Sequence, residues 1–307
     1  MKPASAIEDR PGIGVLAMAF GVMMFTGIDT SAKWLIVAGM LPLQVVFARY
    51  LFHLVSALVW FIPREGTDAL RSVDPKLQIL RSVFLVASTV FNFYGMQTLP
   101  LTTIVAIYFA GPILTSLLAI PFLGEKVGLR RFLAILVGFG GVLIIVQPWG
   151  NAFQPAMLFS LAGISMASCY FIMTRKMAGR EANSTAQIWA SGLGTITIAP
   201  FALAHWAWPE GALQWAVFVM IGVFGFVGHA LTTHAHRLAE ASMLAPVVYL
   251  QVFFATTAGY LVFNTLPTSR TAIGALIIVA SGLYIWNRER AGRARVKSPR
   301  PDISLKN

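Results

Sequence analysis

The sequence predicts an all-α membrane protein of ten transmembrane helices arranged as two inverted five-helix repeats. Three observations carry this reading. Hydrophobic residues make up 57% of the 307 and charged residues 11%, with a mean hydropathy of +0.73, a balance that suits lipid better than water. Apolar runs of about 20 residues, the length that crosses about 30 Å of hydrocarbon, recur ten times along the chain. Lys and Arg gather on one side of those runs, as membrane insertion favours.

The first run, 12–37, follows a polar N-terminus, 1–11, that contains Lys2 and Arg10. It is too long for a signal-peptide core and lacks a convincing cleavage site, so it stays as the first span. The next runs are 42–62, 78–97, 101–123 and 130–147, followed by 155–175, 184–204, 212–235, 241–263 and 270–287. Breakers such as Met40-Leu41-Pro42, Leu99-Pro100, Gln147-Pro148 and Leu266-Pro267 separate them. Proline has no N–H to give and disfavours the α conformation in the residue before it. The short connections make successive spans antiparallel neighbours.

Orientation follows from the 23 Lys and Arg residues. With the N-terminus inside, Arg270 falls outside, Lys33 and Arg49 lie within spans, and all the others fall on the cytoplasmic side. The clusters Arg64, Arg71, Lys76, Arg81 and Lys126, Arg130, Arg131 are the clearest of these. Both termini are therefore expected in the cytoplasm. The basic tail 288–307, with Pro299 and Pro301 and no apolar period, is expected to be disordered near anionic headgroups. The net charge of +11 does not indicate nucleic acid, because the basic residues punctuate apolar runs instead of forming a stripe. Cys169, the single cysteine, excludes an internal disulfide and reads as packing.

The halves 12–147 and 155–287 repeat one pattern. Tyr94-Gly-Met-Gln-Thr-Leu-Pro-Leu-Thr-Thr lies over Thr233-His-Ala-His-Arg-Leu-Ala-Glu-Ala-Ser, and each leads into a span broken by proline, Pro112 or Pro246. Small-residue helices follow, at 134–141 and 274–282. Five spans per unit is odd, so the second unit is upside down. A site at the interface of inverted repeats can open to either side by alternating access. No nucleophile motif, P-loop or dinucleotide fingerprint is present, so the reading is a non-enzyme without cofactor, facilitative or coupled to an ion gradient.

Ionisable groups inside a span mark a pathway or a partner. Asp29 and Lys33 are four residues apart, about 40° around a helix axis, an arrangement that permits an ion pair. Arg49 on the second span could join them as a gating or structural charge. Candidates for the substrate site are Tyr108, Tyr170, His229, Tyr249, Asn92 and Gln251, because an aromatic or apolar metabolite needs ring surface beside a few hydrogen-bonding groups. Pro112 and Pro246 are the helix-break positions. His229, His234 and His236 do not suit a metal, since His234 would lie about 140° from His229 on a helix and no acidic ligand accompanies them.

Tyr94 to Leu99 leading into Thr102-Thr103, then Gly111-Pro112, Leu123-Gly124-Glu125-Lys126, Ala239-Glu240-Ala241-Ser242 and Ala245-Pro246-Val247-Val248-Tyr249 give the chain a resemblance. It resembles the drug/metabolite transporter superfamily, EamA type, and within it the YddG-like aromatic amino acid exporters. One departure is that Phe263-Asn264 stands where the family often repeats the Gly-Glu turn. The resemblance implies export or exchange of amino acids, aromatic and other apolar ones, and related small metabolites across a bacterial inner (plasma) membrane. The partners it implies are a small-molecule substrate and the lipid bilayer. A broad drug or metabolite effluxer, or an importer of the same fold, fits the same pattern, and a membrane sensor would ordinarily append a soluble output domain. Oligomeric state is left open, a monomer being compatible.

The charge asymmetry sets a topology prediction. Single cysteines at Gly150 and Glu210, in a Cys169→Ser background, are expected to react with an impermeant maleimide from the periplasm, whereas ones at Thr67 and Gly179 are not. Periplasmic labelling at Thr67 would overturn the span assignment.

Overall fold

The computed structural model describes residues 10–123, 128–150, 153–177, 180–239 and 241–297. The expected turn Gly124-Glu125-Lys126, Gly179, Glu240 and the end of the tail, 298–307, lie outside the described residues. Among those described there is no β-strand. The first half comprises α1 (Pro11–Val37), α2 (Pro42–Glu65), α3 (Pro75–Gly95), α4 (Leu101–Tyr108), α5 (Gly111–Leu123) and α6 (Leu129–Val146). The second comprises α7 (Ala156–Met177), α8 (Asn183–Ala204), α9 (Gly211–Leu238), α10 (Ala241–Leu244), α11 (Leu250–Phe263) and α12 (Ser269–Lys297). Short 3-10 turns occupy Gly66–Leu70 and Ala245–Tyr249.

Local chemistry explains the boundaries. Proline opens α1, α2 and α3, where a helix has no use for the missing N–H, and the Asp74 carboxylate accepts from the Leu77 N–H at 3.1 Å to cap α3. Helices α6 and α11 end on left-handed residues, Gln147 (φ 45°) and Asn264 (φ 50°), a common way to satisfy the last carbonyls.

Nine helical segments among the described residues are long and apolar enough to cross a membrane. In that count α4 and α5 form one continuous span, Leu101–Phe122, and the second proline-broken span runs Pro246–Phe263. The run expected at 130–147 forms α6, whose apolar part, Phe132–Val146, is shorter than a full crossing because Arg130 and Arg131 occupy its first turn. A second difference lies at the tail. Helix α12 continues to Lys297, ten residues beyond the expected limit at 287, since residues 288–297 are rich in Arg and Ala, good helix formers, and the first proline comes at Pro299.

The packing follows the repeat. Helix α1 lies on α9 and α3 on α7; α2 lies on α9 and α8 on α3; α11 lies on α1 and α5 on α7. Helices α2 and α8, α4 and α11, and α6 and α12 meet as counterparts. Exchanging the halves maps this set of neighbours onto itself, so a pseudo-two-fold axis relates the two units. Connections that the repeat places at the same end of the bundle meet there. At one end Ser72 donates to the Glu181 carboxylate at 2.5 Å, and at the other Arg270 donates to the Gln147 side chain at 2.7 Å. Apolar side chains such as Ile196, Leu261 and Leu276 are about 70% exposed on the outer surface, as a lipid-facing surface requires.

Close helix contacts depend on small residues. A Cβ on Gly222 of α9 would lie 2.6 Å from the His53 backbone nitrogen of α2, and a Cβ on Gly141 of α6 would lie 2.8 Å from the Gly274 carbonyl oxygen of α12. Neither backbone can move aside without shifting a helix. Gly222→Ala is therefore expected to lower the stability of the detergent-solubilised protein by about 1–3 kcal/mol, while Gly140→Ala, which meets open space, does not lower it. Equal thermal-unfolding temperatures for Gly222→Ala and the parent would refute the close-contact assignment.

Candidate functional site

Polar side chains from both halves meet at the interface. Asp29 of α1 is partly buried and receives two long hydrogen bonds, from Asn92 of α3 and from Gln251 of α11, each 3.4 Å. The Asn92 carbonyl oxygen is buried without a partner. Arg49 of α2 is buried. One of its terminal nitrogens donates to Thr89 of α3, its Nε has no partner, and its guanidinium lies over the Tyr50 ring, 4.8 Å from the centroid. Tyr50 shares Thr89, with oxygens 2.8 Å apart. Among the described residues no carboxylate lies within ion-pair distance of Arg49, yet its charge acts on Asp29, His53, Tyr108 and His229. A carboxyl group and a guanidinium are thus both placed among α1, α2, α3 and α11 without a direct pair.

Aromatic groups lie in the same interior, although the Tyr249 hydroxyl packs against Gly282 of α12. His229 of α9 stands 5.1 Å from the Phe25 ring, edge to face, and 5.6 Å from the His53 ring, which is hydrogen-bonded to Gln187 at 3.2 Å. Tyr108 is the last residue of α4 and donates to the Ser88 carbonyl at 3.4 Å. Tyr249 closes the 3-10 turn before α11, and its ring lies 5.7 Å from Phe109. Both fourth spans are interrupted at these points. Pro112 cannot donate to the Tyr108 carbonyl one turn back, and the Ala110 N–H bonds the Ile107 carbonyl instead, at 3.0 Å. Pro246 lies in the 3-10 turn Ala245–Tyr249.

The sequence-derived candidates therefore divide. Asn92 and Gln251 converge on Asp29, with Tyr108, His229 and Arg49 within electrostatic reach of it or of one another. Tyr249 is two residues from Gln251. Tyr170 is held elsewhere: its hydroxyl accepts from Arg81 at 2.9 Å and its ring lies under the same guanidinium, 4.7 Å away. Lys33 departs from the expected pair. Its ammonium donates to the carbonyls of Met96 and Leu99, at 2.6 and 2.9 Å. The turn after α3 offers free carbonyls at the negative end of a helix, which draws Lys33 away from Asp29. The sequence reading missed Tyr50, His53, Thr89 and Gln187. His53 and Gln187 were detectable as polar residues inside apolar runs. Arg81, a cytoplasmic-side charge by the sequence reading, lies in the second turn of α3 and is buried.

The EamA-like transporter family model matches residues 12–147 and 154–287. The S-adenosylmethionine uptake transporter of Rickettsia bellii (strain RML369-C) is 29% identical over 253 residues, covering 82% of this chain and 86% of that protein. The riboflavin transporter of Vibrio cholerae is 26% identical over 298 residues, covering 94% and 99%. A solved crystal structure superposes with a TM-score of 0.65 at 15% identity, covering 93% of this chain and all of that one, a likeness of fold alone. The EamA part of the resemblance stands on the family match. The likeness to YddG-like aromatic amino acid exporters is not what these relatives' names reflect.

The separation of Lys33 from Asp29 predicts independence. The double variant Asp29→Asn with Lys33→Met is expected to lose stability equal to the sum of the two single losses within about 0.5 kcal/mol, measured by thermal unfolding at matched expression. A double variant markedly more stable than that sum would restore the ion pair.

Proposed function

The chain belongs to the EamA-like transporter family, a multi-pass membrane transporter, and from this premise we propose that it carries a zwitterionic metabolite joining an α-amino-carboxylate head to a planar ring. Metabolites of the S-adenosylmethionine class come first. Aromatic amino acids, which share both ends, are the second reading, favoured by the ring surfaces of Phe25, His229, Tyr108 and Tyr249 around the charges. The carrying observation is that Asp29, held by Asn92 and Gln251, and Arg49, bonded to Thr89, are not directly paired.

The chemistry follows from that arrangement. A buried guanidinium with an unpartnered Nε gains from a carboxylate, because neutral partners leave its charge uncompensated in a low dielectric. The 3.4 Å contacts from Asn92 and Gln251 to Asp29 are long enough to give way to a substrate ammonium. A ring would lie against His229 and Tyr249. Rocking of the two halves about this site would expose it to each side in turn, with both termini in the cytoplasm of a bacterial plasma membrane, as the Lys and Arg pattern supports.

Transport into proteoliposomes tests this. Labelled S-adenosylmethionine and tryptophan, with riboflavin as a ring that lacks the amino-acid head, are compared with and without a pH gradient. Saturable transport of at least one zwitterion is expected, and none of riboflavin. Arg49→Gln is expected to cost about 1.5–3 kcal/mol of substrate affinity through loss of a charged hydrogen bond, roughly a ten- to 150-fold rise in half-saturation. His229→Ala or Tyr249→Ala should cost about 1–3 kcal/mol at unchanged abundance. Riboflavin transport without zwitterion transport, or an unaltered Arg49→Gln, would refute the substrate reading.

A further inference from the structure

Arg81 has no role in the site just described, yet it is buried as Lys33 and Arg49 are. It lies in the second turn of α3, 7% exposed. Its Nε donates to Thr174 at 2.8 Å, one terminal nitrogen to the Ala186 carbonyl at 3.2 Å and the other to the Tyr170 hydroxyl at 2.9 Å. All three acceptors are neutral. A guanidinium has five N–H donors, so two remain, and among the described residues no carboxylate lies within ion-pair distance. Beside it Gln78 is fully buried and also reaches the Ala186 carbonyl, while its own carbonyl oxygen has no partner. Neutral acceptors satisfy hydrogen bonds without cancelling the charge, and an uncancelled charge in a lipid-embedded bundle costs several kcal/mol.

Two observations connect this cation to the central site. Arg49 reaches α3 through Thr89, and Arg81 is carried by that same helix and ties it to α7 and α8 through Thr174, Tyr170 and Ala186. Tyr50, which shares Thr89 with Arg49, is likewise close enough to Tyr170 for the two to interact electrostatically. Arg81 and Thr89 are eight residues apart on α3, about 12 Å along the helix axis. Arg49 and Arg81 thus mark two levels of one interior, the second nearer the end where the 66–74 connection meets Glu181.

We propose that Arg81, Tyr170 and Thr174 form a second anion station, which takes the carboxylate of the transported metabolite on its way between Arg49 and the face bearing the α2–α3 connection. The proposal rests on the zwitterion reading for the identity of the cargo, while the station itself calls only for a carboxylate. Two weaker sites in series let an anion leave the first without crossing the low-dielectric interior uncompensated, the logic by which channels combine binding with release. Tyr170 thereby moves from the central site to this station, where its hydroxyl and ring orient the guanidinium.

Equilibrium dialysis of labelled benzoate against the full-length protein in detergent micelles, corrected with protein-free micelles and competed with neutral benzamide, tests the station. Benzoate carries the carboxylate without an ammonium group. Binding is expected to saturate at two benzoates per chain, with benzamide failing to displace either. Arg49→Gln and Arg81→Gln are each expected to leave one. Tyr170→Phe, which keeps the ring and loses the hydroxyl, should keep two sites with one weakened about three- to tenfold. One benzoate per chain in the wild type, none at all, or two undiminished sites in Arg81→Gln would overturn the proposal. If Arg81→Gln does not fold, the wild-type stoichiometry and Tyr170→Phe decide it. Two carboxylate sites in a protein that transports neither S-adenosylmethionine nor tryptophan would sink the zwitterion reading and leave the station standing.

Discussion

Arg49 brings a positive charge into the middle of a lipid-embedded bundle, where water cannot solvate it freely, and the polar interior is organised around that fact. Thr89 receives one of its N–H groups, the Tyr50 ring lies beneath its plane, and Asp29 supplies the opposite charge from a neighbouring helix without closing a direct pair. A tight Asp29–Arg49 bridge would neutralise both groups and leave little reason for a charged solute to enter. Holding the carboxylate on Asn92 and Gln251 instead, at hydrogen-bond lengths of 3.4 Å, keeps the two charges available to something else. Such an arrangement is costly in hydrocarbon, which fits a transport site better than a structural staple.

The scaffold is symmetric and the site is not. In the register that lays Tyr94 over Thr233, Asp29 of α1 falls on Ser168 of α7. Asp29 accepts from Gln251 of α11, whereas Ser168 donates to the Gly111 carbonyl of α5 at 3.4 Å. The same pair of helix neighbours is therefore bridged by a carboxylate and amide in one case and by a hydroxyl and backbone carbonyl in the other. Rigid-body motion can exploit the symmetry of the packing, while the carboxyl group of Asp29 has no counterpart at Ser168.

The two interrupted spans serve the same end. At Tyr108 the helix loses a donor to Pro112, and at Ala245–Tyr249 it tightens to a 3-10 turn around Pro246. Each break presents a tyrosine, and Phe109 and Tyr249 bring the two breaks within ring contact. Backbone that leaves the regular hydrogen-bond ladder is tolerated at membrane depth where it is enclosed by protein or faces a polar cavity, which is where these segments lie. Lys33 supports the adjoining turn by taking the Met96 and Leu99 carbonyls, so the closest cation to Asp29 in sequence serves the backbone rather than the carboxylate.

By itself the sequence determined the all-helical membrane architecture, its two-repeat organisation and the two proline positions, because these depend on run length and helix chemistry, which are local properties. It also named Asp29, Arg49, Asn92, Gln251, Tyr108, His229 and Tyr249, since polar groups stand out in apolar runs. Which of them meet was decided by tertiary structure alone. A spacing of four residues permits an Asp29–Lys33 pair, but the packing of α1 against the end of α3 gives Lys33 better acceptors. Arg81 counts as a cytoplasmic charge at the start of the run 78–97 until the packing of α3 against α7 and α8 buries it, and the length of α12 rests on the absence of a proline before Pro299. Contacts between residues far apart in the chain, such as Asp29 with Gln251, carry no periodic signal in one sequence, so the geometry of the site had to come from the fold.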